Sequence, residues 1–177
     1  MRHMGVVRDI LSSSRKPKEK CALIARKIHE DHSLVKELFE LFETGTDPEK
    51  GSCADIMKEL SNDEPSLLLP YLETLVAHIT YKAPHVTWGV QESLGNMAKT
   101  YPSEVAVAIP RLLKNTVHES TVVRWCAAYA LSEIATHNTE RQQELITTVA
   151  KLAKKEQNNG VRNVYLKALK SLGQAGK

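Results

Sequence analysis

Seven histidines, three cysteines and two tryptophans are the residues of this chain best equipped for specific chemistry. His29–Glu30 and His118–Glu119 each set an imidazole beside a carboxylate, the donor types of a metal site. One pair closes a predicted helix and the other lies in a turn, so they fall in different registers and do not converge on one ion. His3, His32, His78, His85 and His137 show no ligand spacing, and surface or capping roles are predicted for them. Cys21, Cys53 and Cys126 are scattered without a CxxC pair. That speaks against a zinc site or disulfide framework and fits a reducing cytoplasm. The sequence contains no Gly-rich phosphate loop, nucleophile elbow or HExxH motif. No catalytic residue, metal or cofactor is predicted.

The tryptophans say more, because Trp88 and Trp125 lie 37 residues apart in matching surroundings. VTWGVQESLGNMAK (86–99) aligns with VRWCAAYALSEIAT (123–136), pairing Val90 with Ala127, Ser93 with Ala130, Leu94 with Leu131 and Met97 with Ile134. A step of 38 reaches VRNVYLKALKSLG (161–173), where Arg162 takes the place of Arg124. A step of 37 upstream reaches KGSCADIMKELS (50–61), with Lys50 in that place, and a shorter step of 32 reaches KEKCALIARKI (18–28). Each copy keeps apolar or small residues on one helical face. Between them lie partner helices, two of which begin just after Pro65 and Pro102; prolines further in, Pro70 and Pro110, are predicted to bend their helices. The reading is a single domain over 1–177 of five helix pairs, roughly 4–30, 33–61, 65–99, 102–136 and 140–174, stacked as a solenoid.

Composition agrees. Few aromatics and glycines with many Ala, Leu, Glu and Lys favour helix over sheet. No apolar run reaches membrane-spanning length, and MRHMGVVRDILSSS lacks the apolar core of a secretory signal. The formal charge of +3 is unevenly spread: +4 over residues 1–20, −7 over 21–140 and +6 over 141–177. Basic ends suit phosphate or an acidic partner, or are solvated helix faces.

VVRWCAAYALSEIA and VRNVYLKALKSLG resemble the second helix of HEAT repeats: a Val-Arg pair, small residues, then Ala-Leu and a closing Ile or Leu. Pro110 in AVAIPRLLKNT resembles the proline that often kinks the first HEAT helix. The resemblance runs over the chain, most strongly from Pro65 to Gly173. It implies an all-α, right-handed α-solenoid of about five HEAT-like hairpins whose second helices look into a concave surface. Two departures stand out. The Asp expected in the turn before the Arg is absent, leaving Glu119 or Asn158 for a weakened ladder, and Thr87 replaces the Arg in the middle unit. Lys50, Arg124 and Arg162 are the predicted ladder residues. Some HEAT enzymes bind two irons through His-Glu pairs at the start of the second helix; those places here hold Arg124–Trp125 and Arg162–Asn163.

On the second helices, positions 86, 90, 93, 94 and 97 are predicted to face inward and 88, 92, 95, 96 and 99 outward. The outward stripe supplies Trp88, Trp125 and Tyr129 as apolar anchors and Glu92, Asn96 and Glu133 as polar groups. Lys167 and Lys170 would favour an acidic patch at the far end. The competing reading puts each indole in the seam between helices, over Gly89 or Cys126. The expected function is a non-enzymatic module binding a protein or peptide. A nucleic-acid binder or alkylated-base repair enzyme is the alternative, drawing on Trp88, Trp125, Glu92, Glu133 and Arg124. Against it stand the acidic middle of the chain and the lack of that family's tryptophan–aspartate motif. A lyase-like or subunit-assembly factor shares the fold. An uncapped end at GQAGK suggests a homodimer through the last helix.

Overall fold

The computed structural model describes residues 5–173; His3, the outer bounds 4 and 174 of the first and last predicted pairs, and all of GQAGK beyond Gly173 lie outside them. Among the described residues the chain is helical, with no strand. The first pair is α1 (Val6–Leu11) and α2 (Pro17–Glu30), the second α3 (Leu34–Thr44) and α4 (Asp47–Asp63). Two 3-10 turns, Pro65–Leu67 and Leu69–Tyr71, lead into α5 (Leu72–Ala77), which pairs with α6 (Pro84–Met97). The fourth pair sets α7 (Pro102–Val105), a 3-10 turn at Ala106–Ala108 and α8 (Ile109–Asn115) against α9 (Thr121–His137). The fifth is α10 (Gln142–Lys155) with α11 (Asn159–Ser171).

Helix starts are written locally. Pro17, Pro48, Pro84 and Pro102 occupy first or second helical positions, where a missing N–H loses no helical bond. Thr46 and Glu49 cap α4 reciprocally: the Thr46 N–H donates to Glu49 Oε2 (2.8 Å), and the Glu49 N–H to Thr46 Oγ1 (3.4 Å). Ser120 and Asn158 cap α9 and α11. Pro70 and Pro110 do more than bend their helices. Pro70 lies in the second 3-10 turn, and Pro110 is among the first residues of α8, a new helical segment. In each case the chain restarts where proline has no N–H to give.

The second helices α4, α6, α9 and α11 pack on one another in succession with closely approaching backbones, whereas the backbones of successive first-position helices from α3 onward stay further apart. The closely spaced row forms the inner side of the curve. A helix in that row is covered by its own hairpin partner and by both neighbours, so its buried arc is wide. On α9 it takes in Val123, Cys126, Ala127, Ala128, Ala130, Leu131, Ser132, Ile134 and Ala135. Small residues there let backbones approach. A Cβ added to Gly89 of α6 would lie 2.6 Å from the Ala54 carbonyl oxygen of α4. The outward assignment of position 95 is corrected by the same geometry: Gly95 is buried, with the Tyr129 ring 2.6 Å from where its Cβ would be.

Candidate partner-binding surface

The inner row carries a stripe of larger side chains. Trp125 is 38% exposed, and its indole stacks on Tyr129 one turn later, with ring centroids 5.8 Å apart and planes within 8°. Val122, a turn earlier on the same face, is also exposed. Tyr129 is held from the neighbouring repeat, since its hydroxyl donates to Asn96 Oδ1 while its ring lies over Gly95. Burial, followed by the fields of Glu133 and Glu92, pushes the Tyr129 phenol up to about 12. The platform is therefore neutral at physiological pH, with two carboxylates beside it.

Asn96 is already committed: its amide donates to Ser61 Oγ (2.9 Å) and toward the Lys58 carbonyl (3.4 Å), so it ties α4, α6 and α9 together. Glu92 lies 3.8 Å from Lys58 Nζ and accepts a weak hydrogen bond from Cys126 Sγ at 3.7 Å. Glu133 lies 3.5 Å from His137 Nε2. Trp88 differs from Trp125. It is half-buried beside the His85 ring (5.5 Å), and its indole nitrogen is buried without a partner among the described residues. Trp88 is thus the more enclosed of the two, while Trp125 is exposed. Lys167, at the register position of Tyr129, is exposed, and so is Lys170, which matches the buried Ser132. Leu166, which matches the buried Ala128, is the one exposed large hydrophobic of α11 among the described residues, and the exposed Asn163 takes the register position of Trp125.

Of the predicted ladder residues, Lys50 and Arg124 reach the following pair, while Arg162 stays within its own. Lys50 is buried and donates to the carbonyls of Phe42 and Glu43, both 2.7 Å away, with its ammonium 5.5 Å from the Tyr81 ring of the next pair. Arg124 donates to the His118 carbonyl (2.8 Å) and through Nε to Glu156 Oε2 (3.1 Å) of the following pair. Arg162 donates twice to the Glu156 carbonyl, at 2.9 and 2.7 Å. The carboxylate of the ladder is therefore Glu156, at the end of α10; Glu119 contributes only its backbone carbonyl, and Asn158 caps α11. Burial alone would raise the Glu156 carboxyl, but hydrogen bonds from the Asn158 N–H and from Arg124 outweigh it and hold the group below its ordinary value. In the middle unit Thr87 reaches only the Pro84 carbonyl of its own turn. There Asn115 donates to Gln91 Oε1 (3.0 Å) and to the Ile79 carbonyl (2.7 Å), while Gln91 donates to the Val123 carbonyl (3.3 Å).

Sequence reasoning passed over several residues of this face: Asp55, 2.9 Å from His85, as well as Lys58, Ser61 and Val122. The 37-residue register alone could have found Asp55, one repeat before Glu92. The histidines of the two His-Glu pairs have other neighbours: His29 Nδ1 lies 3.2 Å from Glu64, and His118 Nδ1 accepts from the Ser120 N–H. Burial pushes the Cys21 thiol up to about 11 and Cys53 to about 12, and raises Cys126 further. Such thiols are poor nucleophiles.

An engineered protein solved by a structural genomics consortium superposes with a TM-score of 0.72 at 20% identity, covering 94% of this chain and 78% of that one. A designed armadillo repeat protein in complex with the peptide (KR)4 gives 0.72 at 16% identity, covering 95% and 86%. A second designed armadillo repeat protein gives 0.69 at 18%, covering 94% and 80%. The fold is an armadillo/HEAT-like repeat solenoid. No family model and no curated protein matches the sequence. At these identities the likeness extends to the architecture of the solenoid alone. No described helix of this solenoid is long and apolar enough to cross a membrane.

Proposed function

We propose that the chain is a non-enzymatic binding module that captures a peptide or a segment of another protein along its inner row of helices. The observation that carries this reading is the exposed Trp125 stacked on a Tyr129 fixed by its neighbours, a rigid apolar anchor of the kind that dominates recognition surfaces. Glu133 and Glu92 act on Tyr129 directly, and Asp55 lies one register step before Glu92. These carboxylates suit a basic segment, and Lys167 would favour an acidic residue at the far end. A designed protein of this fold is in complex with the basic peptide (KR)4. The carboxylates also weigh against the nucleic-acid alternative, since phosphates would meet like charge there. A homodimer through α11 would rest on the exposed Leu166 alone, with the charged Lys170 nearby on the same helix. Three free cysteines suit the cytoplasm as its location.

Fluorescence titration of the folded protein with (KR)4 and with an acidic (DE)4 control tests the proposal. Saturable binding of (KR)4, weakened by salt and reduced at least about tenfold by Trp125→Ala, is the expected result. Preference for (DE)4, or a W125A protein that binds as wild type does, would overturn it. Trp88→Ala is the contrasting variant, expected to act through stability because that indole is half-buried and its nitrogen enclosed.

A further inference from the structure

Away from the inner row, the turns that lead into α9 and α11 enclose a second concavity. It has a volume of about 370 Å³ between the 116–120 turn, the end of α10 and Tyr165 of α11. Tyr165 is 1% exposed, yet its hydroxyl has no hydrogen-bond partner among the described residues. At the equivalent position the other second helices carry Ala127, Val90 and Cys53, so this repeat alone brings a phenol to the cleft. A buried hydroxyl without a partner is costly and rare, which makes it a marker for a ligand.

The donors around it define the ligand. His118 also lines the cleft. Its Nδ1 accepts from the Ser120 N–H at 3.0 Å, so the neutral ring carries its proton on Nε2, free to donate. Lys155 stands on the rim with no ion pair among the described residues. Arg124 and Glu156, also on the wall, neutralise each other. Glu119 is the opposing charge; it is exposed, where water screens it. Thr116 and Gln157 add polar side chains to the lining, and its apolar part is Leu152 and Val117, the latter 83% exposed. Three donors among the lining of a partly apolar cleft suit an acceptor-only anion on an aliphatic stem.

We propose that this cleft binds a carboxylate carried on a short aliphatic chain, supplied by an acidic side chain or by the C-terminus of a partner polypeptide. It uses none of the Trp125 platform, so it stands or falls independently of the groove.

Sodium butyrate and neutral butyramide are the first probes, titrated into the 15N-labelled protein. Butyrate is expected to shift the amides of 116–120, 152–157 and 165 saturably at millimolar concentration. Butyramide, and butyrate on Tyr165→Phe, should bind about tenfold more weakly or not at all, a loss in line with one charge-assisted hydrogen bond. The Y165F protein should be at least as stable as wild type, because it discards an orphan hydroxyl, so a folding defect does not obscure the comparison. Two short peptides then separate the sources: one with a free C-terminus and no acidic side chain, the other amidated with a single Glu. Binding of either supports the proposal and names the source. The proposal is overturned by any of four results: no saturable butyrate shifts, equal binding of butyramide, unchanged binding by Y165F, or failure of both peptides.

Discussion

Gly89→Ala is the sharpest test of how the solenoid is packed. Alanine is the better helix former, and inside an unobstructed helix the exchange would stabilise by about 1 kcal/mol. At position 89 the new Cβ would lie 2.6 Å from the Ala54 carbonyl oxygen and 2.7 Å from the Ala54 carbonyl carbon and Cβ. Two of those three atoms are backbone within α4, so no rotamer change can relieve the contact. Overpacking of a tight interior costs about 1–3 kcal/mol, and a backbone obstacle belongs at or above the upper end. With the helix-propensity gain deducted, the net loss is about 2 kcal/mol, a fall in Tm of about 4–8 °C for a chain of this size. Urea titration followed by circular dichroism, with calorimetry for Tm, measures it. Adding Ala54→Gly removes one of the three obstacles and should restore only part of the loss. Gly160→Ala, whose Cβ would meet Asn158 Oδ1 at 3.2 Å, should be near neutral. A G89A protein as stable as wild type would refute the close α4–α6 approach, and with it the explanation of the small-residue helices.

Three further outcomes follow from the cross-ties and the buried groups. Arg124→Met strands Glu156, whose side chain is 7% exposed, and should destabilise the fold by about 2–3 kcal/mol as read by urea titration. Because the folded pKa of Glu156 is depressed, the pair's contribution is present above the ordinary Glu value near 4.5 and is lost as pH falls through the folded value. The difference between R124M and wild type should therefore shrink on acidification. Tyr129→Phe leaves Asn96 Oδ1 without its donor and should cost about 1 kcal/mol in thermal or urea melts while retaining the Trp125 stack. At pH 8 a thiol reagent should label Cys53 and Cys126 at a rate set by unfolding and Cys21 only slowly; rapid labelling of all three in the folded protein would contradict their raised thiol pKa values.

What the sequence disclosed and what it hid divide along one line. The apolar period and the 37-residue register revealed the helices, because burial of a helical face leaves a repeating trace in residue type. The register placed Trp125 and Tyr129 on one face for the same reason. It failed at Gly95, since a helix covered on three sides has too wide a buried arc for a two-sided reading. It failed for the ladder because hydrogen bonds depend on reach. Glu156 is 32 residues from Arg124 and follows α10, not the turn before the arginine. Nor does anything local mark Gln91 and Asn115 as partners, since their pairing exists only after α6 and α8 have packed.

The three seams so revealed use different chemistry for one task, and the order matters. Between the second and third pairs the tie is a buried ammonium near aromatic rings, with the Tyr81 hydroxyl donating to Asp47 at 2.7 Å. Between the fourth and fifth it is the Arg124–Glu156 ion pair. Both respond to charge. Between the third and fourth, where Thr87 is too short to cross, the tie is the neutral Gln91–Asn115 network, joined by the neutral Tyr129–Asn96 bond. That seam, whose one charged tie among the described residues is the weak Cys126–Glu92 bond, is the one beneath the Trp125–Tyr129 platform. For the binding function proposed above, protonating a carboxylate or adding salt would therefore alter the charge of the groove without loosening the neutral links that hold its anchor. Affinity would then change with conditions while the anchor keeps its shape.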